Sequence, residues 1–368
     1  MNLEQGLMQL ALNEAARGCG ATGPNPMVGA VIHSGGQVIA MGYHARVGAA
    51  HAEAAALAAA GERARGASMV VTLEPCSRQG RTPPCTDAII AAGISDVTVG
   101  MLDPNPAESG RGVNLLREAG VEVRVGILED ACEELNRAYI HYITKRRPYV
   151  TLKLATSMDG RIATHTGHSR WVSGPTAQEL SHRLRAEADA ILVGRRTAEL
   201  DNPALTCRLV PHKNQPLRVI LDPGLSLASR LSVFQTAGVH PTVVFCRTDA
   251  SEAFAKKLEA QAVRVERVQG EDHEVYLSAV LERLGEMEIA HLIVEGGGQV
   301  AATFLAGRFV GELVLILAPK LVGGDGVPMA GALGVDRMDE ALDLDVLSVE
   351  PLGRDWVVRA RPVYPAET

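Results

Sequence analysis

Apolar residues at the start of the chain recur at helical spacing, with Glu4, Glu14 and Arg17 set between them, so Met1 to Gly18 reads as an amphipathic helix. From Met27 to His44 the pattern is that of strands, interrupted at Ser34-Gly35-Gly36, which predicts a tight hairpin. The alanine-dense stretch Ala52 to Ala60 predicts a helix. Ser68 to Leu73 is a short apolar run of the buried-strand type. Cys85 to Ala92 predicts a helix stopped by Gly93, Val97 to Met101 a strand, Leu115 to Ala119 a helix stopped by Gly120, and Val121 to Val125 a strand. A further helix is expected over Ala131 to Tyr142. Helices and strands alternating at this spacing indicate a layered α/β domain.

Pro148 disfavours helix in the residue before it, so Lys145-Arg146-Arg147-Pro148 ends that helix and a strand begins at Tyr149. This places a domain boundary near Arg147, giving domains 1–147 and 148–368. The second half alternates again, with strands expected near Ala190–Val193, Arg218–Leu221, Thr242–Cys246, His291–Glu295 and Leu313–Leu317. The tail from Val327 to Thr368 shows no readable chemistry, and there is no internal repeat or low-complexity linker.

Composition narrows the class. Of 368 residues 46% are hydrophobic and 21% charged, enough for packed cores and unlike a disordered chain. The net charge of −7, from 36 basic against 43 acidic residues, argues against a nucleic-acid partner, which needs a basic surface. No apolar run approaches the roughly 20 residues that span a bilayer, and the start lacks the basic residues and unbroken apolar core of a signal peptide. A soluble, cytoplasmic protein without a membrane partner is expected. Six cysteines are too few for a disulfide scaffold but enough for a metal site.

His51-Ala52-Glu53 opens one predicted helix, Pro75-Cys76 follows a strand, and Cys85 opens another helix after Pro83-Pro84. One imidazole and two thiolates suit tetrahedral Zn²⁺ with its fourth position open to water, the mark of a catalytic zinc. Zinc lowers the pKa of that water to about 7, and Glu53, two residues after the histidine, is placed to take its proton and pass it to a leaving amine. This is the logic of zinc-dependent base deaminases, with a longer spacing between the cysteines. Two buried structural cysteines beside a surface His–Glu pair are the plain alternative. A closed structural zinc site would need a fourth ligand, for which His44 is the nearest candidate.

The strings GATGPNPMVGAVI (Gly20–Ile32), HAE, TLEPCSRQGRTPPCTDAI (Thr72–Ile89) and DPNP (Asp103–Pro106) resemble the deaminase half of the bifunctional riboflavin-biosynthesis deaminase/reductase family. The resemblance implies a cytidine-deaminase-like three-layer α/β domain that removes an amino group from a diaminopyrimidinone bearing a phosphorylated ribosylamine. It also implies that Asn25, Ser77, Arg81, Thr82 and Asn105 line the substrate pocket. Arg78 stands where the family commonly has histidine, and Ala50 where it commonly has proline.

The second half has no GxGxxG fingerprint, so a Rossmann fold has no motif support. LKLATSMDGRIA (Leu152–Ala163), SRWVSG (Ser169–Gly174), HRLRAEADAILVGRRTAELDNPALTCR (His182–Arg208) and VEGGG (Val294–Gly298) resemble the reductase half of the same family. That half is dihydrofolate-reductase-like, uses NADPH and reduces the ribosyl side chain to ribityl. By resemblance Lys153, Ser169, Arg185, Leu205, Arg208 and Glu295 contact substrate. Ala155, Trp171, Thr197, Asp201, Gly296, Gly297 and Gly298 contact NADPH. Guanidinium forks match phosphate oxygens, which gives Arg185 and Arg208 the role of holding the substrate's phosphate; Asp201 is a candidate proton donor. The competing readings are a nucleic-acid or nucleoside base deaminase with an unrelated second domain, and a zinc-stabilised binding module. Self-association as a homo-oligomer is expected.

Overall fold

Two large sheets organise residues 2–78 and 83–365, the part of the chain that the computed structural model describes; one lies in each of the units Met1–Arg146 and Arg147–Thr368. Helix α1 (Leu3–Ala16) begins with a reciprocal cap: the Asn2 side chain accepts from the Gln5 N–H at 2.9 Å, and the Gln5 side chain accepts from the Asn2 N–H at 3.0 Å. Strands β1 (Gly29–Ser34) and β2 (Gln37–Tyr43) form the expected hairpin, turned at Gly35 and Gly36, both with positive φ.

The period-two alternation of the strands sets the layers. In β3 (Ser68–Leu73), Met69 and Val71 face α2 (Ala52–Ala60), α3 (Cys85–Ala92) and α4 (Arg111–Glu118), whereas Val70 faces α1 and α5 (Glu129–Leu135). With β4 (Asp96–Met101) and β5 (Glu122–Val125) the strand order is β2-β1-β3-β4-β5, and β3, β4 and β5 run parallel. This is the three-layer, cytidine-deaminase-like architecture.

The single helix expected over Ala131–Tyr142 is instead two, α5 and α6 (Arg137–Lys145), broken at Asn136. Asn136 is buried, and its amide pairs both ways with the backbone of Met27, accepting from its N–H at 2.8 Å and donating to its carbonyl at 3.0 Å. A mid-helix asparagine was diverted to a distant backbone segment that had no other partner for these groups.

The second unit carries β6 (Tyr149–Ser157), β7 (Arg161–Ala163), α7 (Pro175–Glu187), β8 (Ala190–Gly194), α8 (Arg195–Asp201), β9 (Leu217–Leu221), α9 (Ser232–Gln235), β10 (Thr242–Arg247), α10 (Glu252–Glu259), β11 (Arg264–Val268), α11 (His273–Glu286), β12 (His291–Val294), α12 (Gly298–Ala306), β13 (Glu312–Ala318), β14 (Val327–Pro328), β15 (Asp343–Leu352) and β16 (Asp355–Val363). Nine of these strands form one sheet, ordered β11-β10-β9-β8-β12-β6-β13-β16-β15. The strands from β11 to β13 pair in parallel, and β16 and β15 add an antiparallel ribbon. Helices α7 to α10 cover one face and α11 and α12 the other. The tail therefore supplies the last two strands of this sheet, β16 and the edge strand β15.

Helix α2 lies directly on β2. A Cβ on Gly42 would sit 2.5 Å from both the Ala52 carbonyl oxygen and the Ala56 nitrogen. Because α2 carries His51 at its start and Glu53 in its first turn, Gly42→Ala is expected to push the helix outward. The expected result is a first unit destabilised by about 1–3 kcal/mol or more with less than one zinc per chain, read by urea unfolding and metal analysis. Full zinc content with an unchanged urea midpoint would show that α2 has room to spare.

Candidate active sites

In the first unit three elements deliver three donor atoms to one point. His51 precedes α2, Cys76 lies in the loop after β3, and Cys85 opens α3. His51 Nδ1 is 3.5 Å from Cys76 Sγ and 3.3 Å from Cys85 Sγ, and the Cys85 N–H donates to Cys76 Sγ at 3.3 Å. Zinc bonds of about 2.0 Å to nitrogen and 2.3 Å to sulfur in tetrahedral array would space donors about 3.5 Å apart, so this set fits the ion. The Cys76 thiol is held down to about 4 by its hydrogen bonds with Cys85 and, against burial, with His51. That favours the thiolate, the ligand form. Among the described residues these three are the one such donor group. His44 is not part of it. Its Nδ1 lies 3.1 Å from the Ala50 carbonyl, its Nε2 lies 3.3 Å from Asn25 Nδ2, and its ring stands edge-on to His51.

Glu53 is 3% exposed, which removes the picture of a surface His–Glu pair. Burial pushes its carboxyl up to about 7, with the Cys76 thiolate adding to the rise. Asn25 thus reaches the site through His44. Ser77 Oγ donates to Glu108 at 3.0 Å, and Arg78, the unusual residue of the motif, pairs with Glu108 and donates to the Ala107 carbonyl at 2.9 Å. Asn105 stands in the same loop, its side chain accepting from the Ala107 N–H at 3.2 Å. Arg81 and Thr82 lie outside the described residues. Sequence reasoning passed over Glu74. Its buried carboxylate accepts from the N–H groups of Asp103, Gly110 and Val113 at 2.9–3.1 Å and so ties the Asn105 loop to the segment carrying Cys76. A carboxylate inside a run of apolar residues, two before a ligand, was the signal.

The second unit holds a cavity of about 960 Å³ at the ends of β6, β8, β9 and β12. Lys153, Ala155, Ser169, Trp171, Arg185, Thr197, Asp201, Arg208, Glu295 and Gly296–Gly298 all line it. At its centre Glu295 accepts from Arg185 Nε at 2.7 Å and Nη2 at 2.9 Å, with Lys153 Nζ 3.7 Å away. Burial alone would raise the Glu295 carboxyl; Arg185, then Lys153, overcome it and hold the group down to about 2. Lys153 is therefore a half-buried, paired lysine and not a solvated one. Arg185 and Arg208, read together as a phosphate grip, are unlike: Arg185 is committed to Glu295 and to the Thr206 carbonyl, and Arg208 is exposed and has no carboxylate partner among the described residues.

Trp171 is 66% exposed at the cavity and not part of a core. Ser169 Oγ reaches Asp201 at 3.4 Å. Leu205 departs from expectation: its side chain is in the core, 2% exposed, on a left-handed backbone, and does not line the cavity. Gly298 has a steric reason, since a Cβ there would meet the Pro328 carbonyl at 2.4 Å. The tail contributes Asp355, which accepts from the Gly174 N–H at 2.7 Å and steadies the loop bearing Ser169 and Trp171. His182, one helical turn before Arg185 on α7, was missed although its spacing from Arg185 puts it on the same face. Burial and then the neighbouring Arg185 and Arg208 hold it down to about 4.

These two shifts act in the same direction on stability. Glu295 titrates near 2 when folded against 4.5 in the free group, so its contribution is complete above about 4.5 and is lost as pH falls toward 2. His182 titrates near 4 against 6.5; below 6.5 the unfolded chain binds a proton that the folded chain refuses, so stability declines from 6.5 to 4. The urea midpoint of the second unit should fall across both windows, and His182→Gln should flatten only the upper one. A midpoint constant from pH 7 to 4.5 would contradict this.

The comparisons agree with this geometry. Residues 148–358 match the model of the RibD C-terminal domain, and residues 1–101 match that of the cytidine and deoxycytidylate deaminase zinc-binding region. The riboflavin biosynthesis protein RibD of Aquifex aeolicus is 44% identical over 356 residues, covering 97% of this chain and 98% of its own. Acinetobacter baumannii RibD, form 1, superposes with a TM-score of 0.90 at 34% identity, covering 98% of this chain and 99% of that one. A Thermotoga maritima structure described as a diaminohydroxyphosphoribosylaminopyrimidine deaminase/5-amino-6-(5-phosphoribosylamino)uracil reductase has a TM-score of 0.87 at 35% identity, covering 98% and 99%. Matches that run end to end through both units do not favour a base deaminase with an unrelated second domain. The two donor sets and the end-to-end likeness together make this chain a member of the RibD family of riboflavin biosynthesis, a deaminase and reductase in one polypeptide with zinc and NADPH as cofactors.

Proposed function

We propose that residues 1–147 deaminate the 2,5-diamino-6-ribosylaminopyrimidinone phosphate named for the Thermotoga relative, and that residues 148–368 reduce the ribosyl side chain of the product to ribityl. The observation that carries the reading is the convergence of His51 Nδ1 with two thiol sulfurs beside the buried Glu53 carboxyl. His51, Cys76 and Cys85 would hold the zinc, which when bound supplies Lewis acidity that lowers the pKa of a water. Glu53 takes a proton at its carboxylate and returns it to the departing amine, a role its dry setting suits because neither charge state is strongly preferred near neutrality. Asn25, Ser77, Arg81, Thr82 and Asn105 orient the pyrimidine and its phosphorylated arm.

In the second unit Ala155, Trp171, Thr197, Asp201 and Gly296–Gly298 would hold NADPH, which supplies a hydride. Glycine backbone N–H groups at the start of α12 are placed for its phosphates. Lys153 presents positive charge to the reacting sugar carbon, and Glu295, itself held by Arg185, fixes that lysine. Ser169, Leu205 and Arg208 complete the substrate contacts, Leu205 through its backbone. Substrate and product are small phosphorylated molecules, not nucleic acid. No helix among the described residues is long and apolar enough to cross a membrane, and the reading places the reaction in the cytoplasm. A second copy of the chain would pair along β15, an edge strand that exposes Leu344, Val346, Leu347 and Val349.

Two outcomes are expected. Glu53→Gln should lower ammonia release by at least about a thousandfold, as loss of a general acid–base requires, while zinc content and NADPH oxidation on pre-deaminated substrate stay normal. Simultaneous loss of both activities with zinc retained would contradict the separation of sites. Wild-type protein should exceed the monomer mass in light scattering, and Val349→Lys should shift it toward monomer. A wild-type monomer would remove the homo-oligomer.

A further inference from the structure

One pocket group in the second unit has no role in this scheme. His182 lies on α7 and lines the cavity, yet it is 4% exposed as a residue. Its Nδ1 accepts from the backbone N–H of Arg208 at 3.1 Å. A ring nitrogen that accepts bears no proton, so the neutral imidazole carries its proton on Nε2. Among the described residues no hydrogen bond occupies that Nε2. Two more bonds fasten the same segment to α7. Cys207 Sγ donates to the His182 carbonyl at 3.3 Å, and Arg185 Nη1 donates to the Thr206 carbonyl at 3.1 Å. The histidine and the backbone of Arg208 are thus fixed together, and both residues line the cavity.

The local charge says what this wall would take. The cavity is lined by Lys153, Arg185, Arg195, Arg196 and Arg208 against Glu295 and Asp201, five positive charges against two negative. Arg185 and Glu295 cancel as a two-pronged pair. Arg195 is paired with Glu199, the lining keeps a positive excess, and among the described residues Arg208 has no acidic partner. A phosphate monoester carries close to two negative charges at neutral pH. It needs donors on several sides, and a neutral N–H supplies one without the cost of burying a further cation.

We propose that His182 is a substrate-contacting residue of the second site, donating from Nε2 to the terminal phosphate of the sugar side chain that Arg208 neutralises. The inference rests on the reductase reading of this unit and deepens it by adding His182 to the phosphate contact that the resemblance implies for Arg208. The cofactor also carries phosphates, so the test separates the two sources. Ribose 5-phosphate and NADP⁺ are titrated calorimetrically into full-length wild-type protein, His182→Asn and Arg208→Gln.

Both variants should weaken ribose 5-phosphate about tenfold and leave NADP⁺ within about twofold, with melting temperatures near wild type. Turnover should show the same division: a higher KM for the deaminated substrate and an unchanged KM for NADPH. Unchanged ribose 5-phosphate binding in a folded His182→Asn would overturn the proposal. So would equal weakening of both ligands, which is the mark of a structural role, or weakening of NADP⁺ alone. If His182→Asn does not fold, His182→Gln, which keeps an acceptor for the Arg208 N–H, takes its place with the same expectations. Failure of the reductase reading shows separately, as wild-type protein that binds ribose 5-phosphate but oxidises no NADPH with the deaminated substrate.

Discussion

Parallel pairing is the constraint on which both sites depend. Strands that run in one direction release every following connection at the same edge of the sheet, so side chains distant in sequence collect there without further design. In the first unit β3 delivers Cys76 and β4 delivers the loop of Asp103 and Asn105 to one edge. In the second, β8 delivers Thr197 and Asp201, and β12 delivers Glu295 and the glycine run. The helices that return from this edge begin there, which brings unpaired N–H groups and the positive end of the helix dipole to the chemistry. Cys85 is the first residue of α3, and Gly298 the first of α12.

A site assembled from loops must then be held still, and the two units meet that need with buried charges satisfied in different ways. Glu74 is satisfied by backbone N–H groups alone, so the carboxylate costs little and the loop it binds loses its freedom. Glu295 is satisfied by cations and fixes the charge of the cavity as much as its shape. Arg218 is satisfied by neutral oxygens: all five of its N–H donors are used, on Thr242, Thr236 and the carbonyls of Ala204, Val233 and His240 at 2.7–3.2 Å. Burial holds it down to about 10, which leaves it charged. Its bond to Ala204 fixes the chain just before Leu205, whose left-handed backbone leads into Arg208. In each case removing the charged group would strand several buried partners, which is more costly than the net worth of the bonds themselves.

What the sequence discloses of this molecule follows from how local each signal is. The Ser34-Gly35-Gly36 hairpin, the alanine helix and the apolar parallel strands are written within a few residues and appear in the structure where expected. So is the metal set, because His51, Cys76 and Cys85 are chemically unusual together. The break at Asn136 was illegible because its cause is Met27, more than a hundred positions away. Strands β15 and β16 were illegible for a different reason. As the edge strand β15 is exposed along nearly its whole length, it lacks the alternation that marks a half-buried strand. Leu205 and Arg185 show the limit of transfer by resemblance. Both stand where the motif puts them, but one side chain is turned into the core and the other is engaged by Glu295.

The overall charge of the chain is a poor guide to its ligand, and the cavity shows why. A net −7 repels anions at a distance, but screening reduces that field within about 8–10 Å at physiological salt. An approaching phosphate therefore responds to the few charges at the mouth and wall of the pocket. There the balance is reversed, since Lys153, Arg185, Arg195, Arg196 and Arg208 stand against Glu295 and Asp201. Neutralising Arg185 internally has a further consequence. It lowers the positive excess of a lining that also carries Lys153, Arg195, Arg196 and Arg208. A small, partly neutralised cationic wall does not offer the many contacts spread over a surface that a polyanion such as nucleic acid needs. It still retains a ligand that brings one phosphate to one place.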